Sequence, residues 1–296
     1  MFSRIRDSFH TYAIVTILFW SMSFISTRIA VQYLSVYSLS LLRNFLASCV
    51  LVLLVISMKI KPPLLRDWKW FFLTGATGFL LYTVAMGKGS ETVTASTCSV
   101  VIATSPVLTA LYAQILYREK LKNHQWLAMF VEFIGIVVLT LMNGAFTRNA
   151  GIFWLLLATL SSSFYNLLQR KISKRYQPLQ AAAYAMFAGT VLMTPFGPAA
   201  FKSASALPWV ALAHIAVLGV FSSALGYFTW SVALAKAPRT SSVTNYMFVQ
   251  PLLATICALP VAGERPDAAT VAGGGIILAG TFLFNFGEKI LPSGTK

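Results

Sequence analysis

Charge is what this sequence has least of. Asp, Glu, Lys and Arg make up 10% of its 296 residues, against roughly 25% in a soluble domain. So few ions cannot cover a water-facing surface, which excludes a soluble globular fold. Acid is scarcest, with eight carboxylates against 23 basic side chains. Histidine and cysteine occur three times each. Cys49, Cys98 and Cys257 lie in separate apolar runs without metal-type spacing, and are expected to be free thiols among apolar neighbours. There is no H-E-x-x-H, G-x-S-x-G or Walker A pattern. Gly273-Gly274-Gly275 follows no strand, so it is expected to pack helices closely rather than cradle phosphate. Neither an enzyme nor a cofactor or metal site is expected.

What is there is apolar and long. Hydrophobic residues make up 57% of the chain and mean hydropathy is +0.72. Apolar runs fall at 12–33, 38–58, 69–88, 93–116, 124–142, 150–170, 179–197, 207–235, 240–261 and 268–287. A helix rising about 1.5 Å per residue crosses about 30 Å of hydrocarbon in each. The first run follows Arg4 and Arg6 and is too long for a cleavable signal, so it is expected to be retained.

The net charge of +15 would suggest nucleic acid in a soluble protein. Here the basic residues sit in alternate short connections: Lys59, Lys61, Arg66 and Lys69; Arg118, Lys120 and Lys122; Arg170, Lys171, Lys174 and Arg175; Lys236 and Arg239. Only Lys88, Arg148, Lys202 and Arg265 fall in the other connections. This is the positive-inside distribution. It places both termini in the cytoplasm and makes the bilayer, not nucleic acid, the partner.

The chain also repeats itself. Pro106 and Pro251 are 145 residues apart, and the same offset pairs Tyr82 with Tyr227, Glu119 with Glu264 and Gly135 with Gly280. Ser21, Ser23 and Phe24 are echoed by Ser161, Ser163 and Phe164. Each half holds five runs, an odd number, so the second copy enters the membrane from the opposite face. The expected fold is all-α, with ten spans in two inverted five-helix repeats, 1–145 and 146–296, around a central cavity. Inverted repeats of this kind are a hallmark of secondary transporters.

Several motifs resemble those of the drug/metabolite transporter superfamily, and within it the EamA family. They are Trp20-Ser21-Met22-Ser23-Phe24, Leu42-Arg43-Asn44-Phe45, Pro106 followed by Arg118-Glu119, and Pro251 followed by Gly263-Glu264. The second copy departs at Leu160, where the first has Trp20. The resemblance implies a ten-helix carrier exporting small metabolites, amino acids or drugs; the inner (plasma) membrane is the expected location, and both a monomer and a homodimer remain open. Amino acids are the preferred class, because abundant aromatics can stack on an apolar side chain while amides hold a polar head. The alternatives are exchange of anionic, phosphorylated or nucleotide-linked metabolites, drug efflux, and a passive pore.

Polar and aromatic residues inside spans mark the expected substrate path. They are Trp20 and Ser23; Phe79 and Tyr82; Tyr165, Asn166 and Gln169; Tyr227 and Trp230; Asn245 and Tyr246. Hydrogen bonding between helices is the competing role for the amides and hydroxyls. Pro106 and Pro251 lie within runs, where each would free a carbonyl and kink the helix. Arg28 and Arg43 lie toward the external ends of spans 1 and 2, where they either snorkel to headgroups or attract an anionic group. Glu132, mid-run, is either a coupling carboxylate or a packing group with a polar partner. The orientation is checked by reporter fusions at the termini: both should report cytoplasm, and an external signal from either end overturns it.

Overall fold

In hydrocarbon a backbone can satisfy its own polar groups only as helices or closed barrels. The computed structural model describes residues 8–117, 122–142, 150–263 and 265–290, and every regular element among them is helical. Helices α1 (Phe9–Ala30) and α2 (Val36–Ser57) start on serine caps. Ser8 Oγ accepts the His10 amide at 3.3 Å and Ser35 Oγ the Ser38 amide at 3.2 Å, filling donors that the first turn leaves open. The third stretch runs through α3 (Trp68–Gly75), a π-helical segment (Ala76–Leu81) and α4 (Tyr82–Ser90). Next come α5 (Ala95–Ile102), α6 (Ser105–Tyr117), α7 (Asn123–Met142) and α8 (Ala150–Ser173).

The second half opens with α9 (Pro178–Leu192), which bends by 52° into a segment ending in α10 (Gly197–Ala204). A second long stretch follows: α11 (Trp209–Ala216), a π-helical segment (Val217–Leu225) and α12 (Gly226–Lys236). Then α13 (Thr240–Thr244) leads through a 3-10 turn (Asn245–Val249) into α14 (Gln250–Ala262). Gly263, at φ 65°, closes α14 in the left-handed conformation glycine favours. The last helix is α15 (Ala268–Ile290).

Seven of these stretches are long and apolar enough to cross a bilayer, and the bent α9–α10 segment makes an eighth. That is fewer than the ten apolar runs of the sequence. The two other runs, 124–142 and 268–287, coincide with α7 and α15, which pack along each other. A Cβ on Gly135 would lie 2.9 Å from the Gly273 carbonyl oxygen, and one on Gly280 2.5 Å from Glu132 Cγ. Of the glycine run, Gly273 lies against Gly135 and Gly274 faces Val100, where a Cβ would fall 3.2 Å from Val100 Cγ2, whereas a Cβ on Gly275 would meet nothing within 4 Å.

The prolines sit differently from the expectation of a kink deep within a helix. The helix stops at Ala103–Thr104 and restarts at Ser105, so Pro106 occupies the first turn of α6. Pro251 stands likewise in the first turn of α14, after the 3-10 turn. A first-turn proline costs no hydrogen bond, because that amide has no partner in the helix. The break before Pro106 is bridged from α8: Ser163 Oγ donates to the Ser105 carbonyl at 3.0 Å and Thr159 Oγ1 to that of Val101 at 3.4 Å. Glu119 and Glu264 lie outside the described residues.

The two halves exchange their first helices. Helix α1 packs against the second π segment, α12 and α14, whereas α8 packs against the first π segment, α4 and α6. Close approach is bought with small residues elsewhere too: a Cβ on Gly75 would lie 2.5 Å from the Gly189 backbone nitrogen. Overpacking of this kind costs about 1–3 kcal/mol. Gly75→Val should therefore lower the melting temperature in detergent, whereas Gly275→Ala, which meets nothing within 4 Å, should not. Equal melting for both variants would show that the α3–α9 contact does not constrain the fold.

Candidate functional site

The two π segments lie at corresponding places in the two halves. Their altered winding leaves carbonyls to be satisfied by other helices. Ser161 Oγ of α8 donates to the Thr77 carbonyl at 2.9 Å, and Trp20 Nε1 of α1 donates to the Ser222 carbonyl at 3.1 Å. Thr77 and Ser222 are again 145 residues apart. Tyr227 Oη reaches back to the Gly78 carbonyl at 3.3 Å. Such π-helical departures recur at functional sites, and here a cavity lies beside them.

The cavity is lined by Trp20 and Ser23 of α1, Arg43 of α2, Gly78 and Tyr82 of the third stretch, Ser162 and Tyr165 of α8, Tyr227 of α12 and Met247. It has room for about one water molecule. Its walls are aromatic. Trp20 lies 4.8 Å from Trp230 and 5.2 Å from Tyr227, ring centre to ring centre, and Phe79 lies 4.6 Å from Tyr227. Tyr165 stands edge-on to Tyr227 at 5.3 Å. Glycine makes this stacking possible: a Cβ on Gly78 would fall 2.1 Å from Tyr165 Cδ2, and one on Gly226 2.9 Å from Trp20 Nε1.

Arg43 does not snorkel. It is 3% exposed, and its Nε and Nη2 both donate to Ser223 Oγ, at 3.1 and 3.0 Å. Among the described residues no carboxylate pairs with it. Asp67 holds Arg175 at 3.1 Å, Glu91 holds Lys88 at 3.0 Å, and Asp267 caps α15 by accepting the Thr270 amide at 2.7 Å. Glu132 is 2% exposed but lines a different, almost wholly apolar groove with Thr104, Met129, Phe133 and Leu160. An unpaired buried ion carries a desolvation penalty of several kcal/mol. Arg43 is thus a charge held in place without a counter-ion among the described residues.

Of the other expected site residues, Phe79 and Trp230 are fully buried beneath the lining rings. Asn166 and Gln169 face α12 rather than the cavity: Asn166 Oδ1 accepts from Trp230 Nε1 at 2.9 Å, and Gln169 Nε2 donates to Ser231 Oγ at 2.6 Å. The opposite atoms, Asn166 Nδ2 and Gln169 Oε1, are buried without a partner. Tyr246 turns to the start of α1, where its hydroxyl meets His10 Nδ1. Asn245 opens the 3-10 turn, and its side chain lies outside the description. Ser223, Gly78 and Met247 were not expected. The adjacent hydroxyls of Ser222 and Ser223 in an apolar run were the available signal for the first of them.

Arg28 marks the end of α1. Its Nη1 donates to the carbonyls of Ser90 and Glu91, at 2.7 and 3.1 Å. Arg170 does the same at the end of α8, reaching the carbonyls of Leu234 at 3.1 Å, Ala237 at 3.3 Å and Pro238 at 2.8 Å. At the end of the third stretch opposite Ser90, Arg175 and Tyr176 both bind Asp67 across the two halves. Partial burial first, and donation to Asp67 second, push the Tyr176 phenol above its ordinary range.

The sequence matches the EamA-like transporter family twice, over residues 8–141 and 149–286. It is 30% identical, over 92% of its length and 91% of the relative's, to a protein of Streptantibioticus cattleyicolor described as a probable terminal-alkyne amino-acid exporter. It is 20% identical, over 96% of each chain, to a probable amino-acid metabolite efflux pump of Salmonella typhimurium. A crystal structure with 15% identity superposes with a TM-score of 0.67 over 94% of this chain and 97% of its own, which supports the fold alone. With both halves matched and a relative aligned nearly end to end, the chain belongs to the EamA-like transporter family: it is a multi-pass transporter of the plasma membrane, not an enzyme.

Proposed function

We propose that this transporter is a secondary active carrier that exports a small metabolite, an amino acid or related compound, by alternating access. Its ten spans form two inverted five-helix repeats, 1–145 and 146–296, with both termini cytoplasmic. The observation that carries this reading is the aromatic cavity, lined by residues of both halves and lying beside their two π segments. Two similar relatives are described as exporting amino acids or their metabolites. Trp20, Tyr82 and Tyr165 stack on the substrate's side chain and Ser23 offers it a hydroxyl, while Phe79 and Trp230 support those rings. Asn166 and Gln169 hold α8 to α12, and Asn245 and Tyr246 belong to the broken stretch that rearranges.

Pro106 and Pro251, each beginning a helix after a break, act as the hinges. Arg28 and its counterpart Arg170 hold the helix ends as the halves rock. Glu132 lies apart from the cavity, where a buried carboxylate can take up a proton, and it is the candidate for ion coupling. Exchange of anionic metabolites is the second reading, favoured by Arg43; one guanidinium suits a single carboxylate better than a phosphoryl group.

Counterflow tests the reading. Proteoliposomes preloaded with unlabelled amino acid should accumulate external labelled amino acid transiently and saturably. Trp20→Ala or Tyr165→Ala should slow the exchange by about tenfold or more, since each removes a ring that would stack on the substrate, and aromatic contacts are worth about 0.5–1.5 kcal/mol beyond their area burial. A non-saturating flux without counterflow would identify a pore instead.

A further inference from the structure

We infer that Arg43 is the carboxylate-binding residue of the central cavity, so that the transporter selects small organic acids, amino acids among them, by their carboxylate group. The inference rests on the carrier reading above and adds to it the chemistry that the cavity recognises.

Three features lead there. The guanidinium lines the cavity, yet is 3% exposed, so bulk water does not stabilise its charge. Its fork is oriented in advance: Nε and Nη2 converge on Ser223 Oγ, at 3.1 and 3.0 Å, while no bond of Nη1 to the protein is made among the described residues. The described carboxylates are all placed elsewhere, so none of them neutralises Arg43 and the guanidinium is open to an anionic ligand. Planar guanidinium and planar carboxylate match in geometry, and a charge-assisted pair strengthens in a site from which water is excluded.

The surroundings narrow the ligand class. The other walls are the rings of Trp20, Tyr82, Tyr165 and Tyr227 with the hydroxyls of Ser23 and Ser162 and the thioether of Met247, which offer stacking surface and hydrogen bonds but no second cation. A monocarboxylate with an apolar or aromatic body matches that chemistry, though the cavity must widen beyond its present volume to admit one. A phosphate ester would bring about two charges to one arginine. The ammonium of an amino acid would lie against the ring faces, where cations are favourably held.

The test compares acids with their amides on the full chain in nanodiscs, read by thermal shift and calorimetry. The probes are L-phenylalanine, L-propargylglycine and 3-phenylpropionate, each against its carboxamide. The wild type should bind the acids about 10- to 100-fold more tightly than the amides, the range expected for a charged hydrogen bond of about 1.5–3 kcal/mol. Arg43→Gln should bring that ratio close to one. Ser223→Ala, which keeps the charge but frees the fork, should reduce it in part and serves if Arg43→Gln fails to fold. Amides binding the wild type as well as the acids do, or a variant keeping the full ratio, would overturn the inference. If 3-phenylpropionate binds through Arg43 but neither amino acid does, the carboxylate site stands and amino-acid export falls. If amino acids show counterflow with no acid preference, export stands and the role of Arg43 falls. No shift with any probe overturns both.

Discussion

Inside a bilayer a carbonyl that loses its helical partner has no water to turn to, and the centre of this protein is organised around that constraint. The stretches α3–α4 and α11–α12 wind as π-helix for part of their length, and the carbonyls of Thr77 and Ser222 are each claimed by the first helix of the other half. Those two donations fix where α1 and α8 cross their neighbours, and the crossing brings Trp20 and Tyr165 over Gly226 and Gly78. The cavity is the space left between them. Remove the π-helical winding and neither the ring positions nor the gap would follow.

Much of this frame could be read from the residues. Long apolar runs with alternating basic connections announced membrane helices, and the offset joining Tyr82 to Tyr227 and Pro106 to Pro251 pointed to two related halves. Trp20, Ser23, Tyr82 and Tyr165 do meet in one place. The reason is physical: in hydrocarbon a polar or amphipathic side chain has few places to go except the protein interior.

The errors have physical causes too. Helical spacing put Tyr165, Asn166 and Gln169 on one face of α8, but a helix buried on several sides offers more than one polar surface, and the amides faced α12. Tyr246 found His10, a partner 236 positions away that no local pattern reveals. Arg43 lies near the beginning of its helix, where a long side chain usually escapes to the headgroups; only tertiary packing shows that it points inward onto Ser223. The π segments left no mark in composition, because their residues suit an α-helix as well. The prolines were located rightly and their role in the backbone was not, since a proline in mid-run and a proline beginning a new helix look alike in sequence.

The two carbonyl acceptors are matched, but their donors are not: a serine hydroxyl serves Thr77 and an indole serves Ser222. Two identical halves would leave an empty carrier indifferent to which side it faced. In the alternating-access cycle proposed above, the contacts exchanged would differ in size, polarity and stacking, so the two empty orientations would differ in free energy. That imbalance cannot change the gradient at which transport stops. It does set which side of the membrane finds the site waiting, and therefore the substrate concentration at which each direction of flux half-saturates.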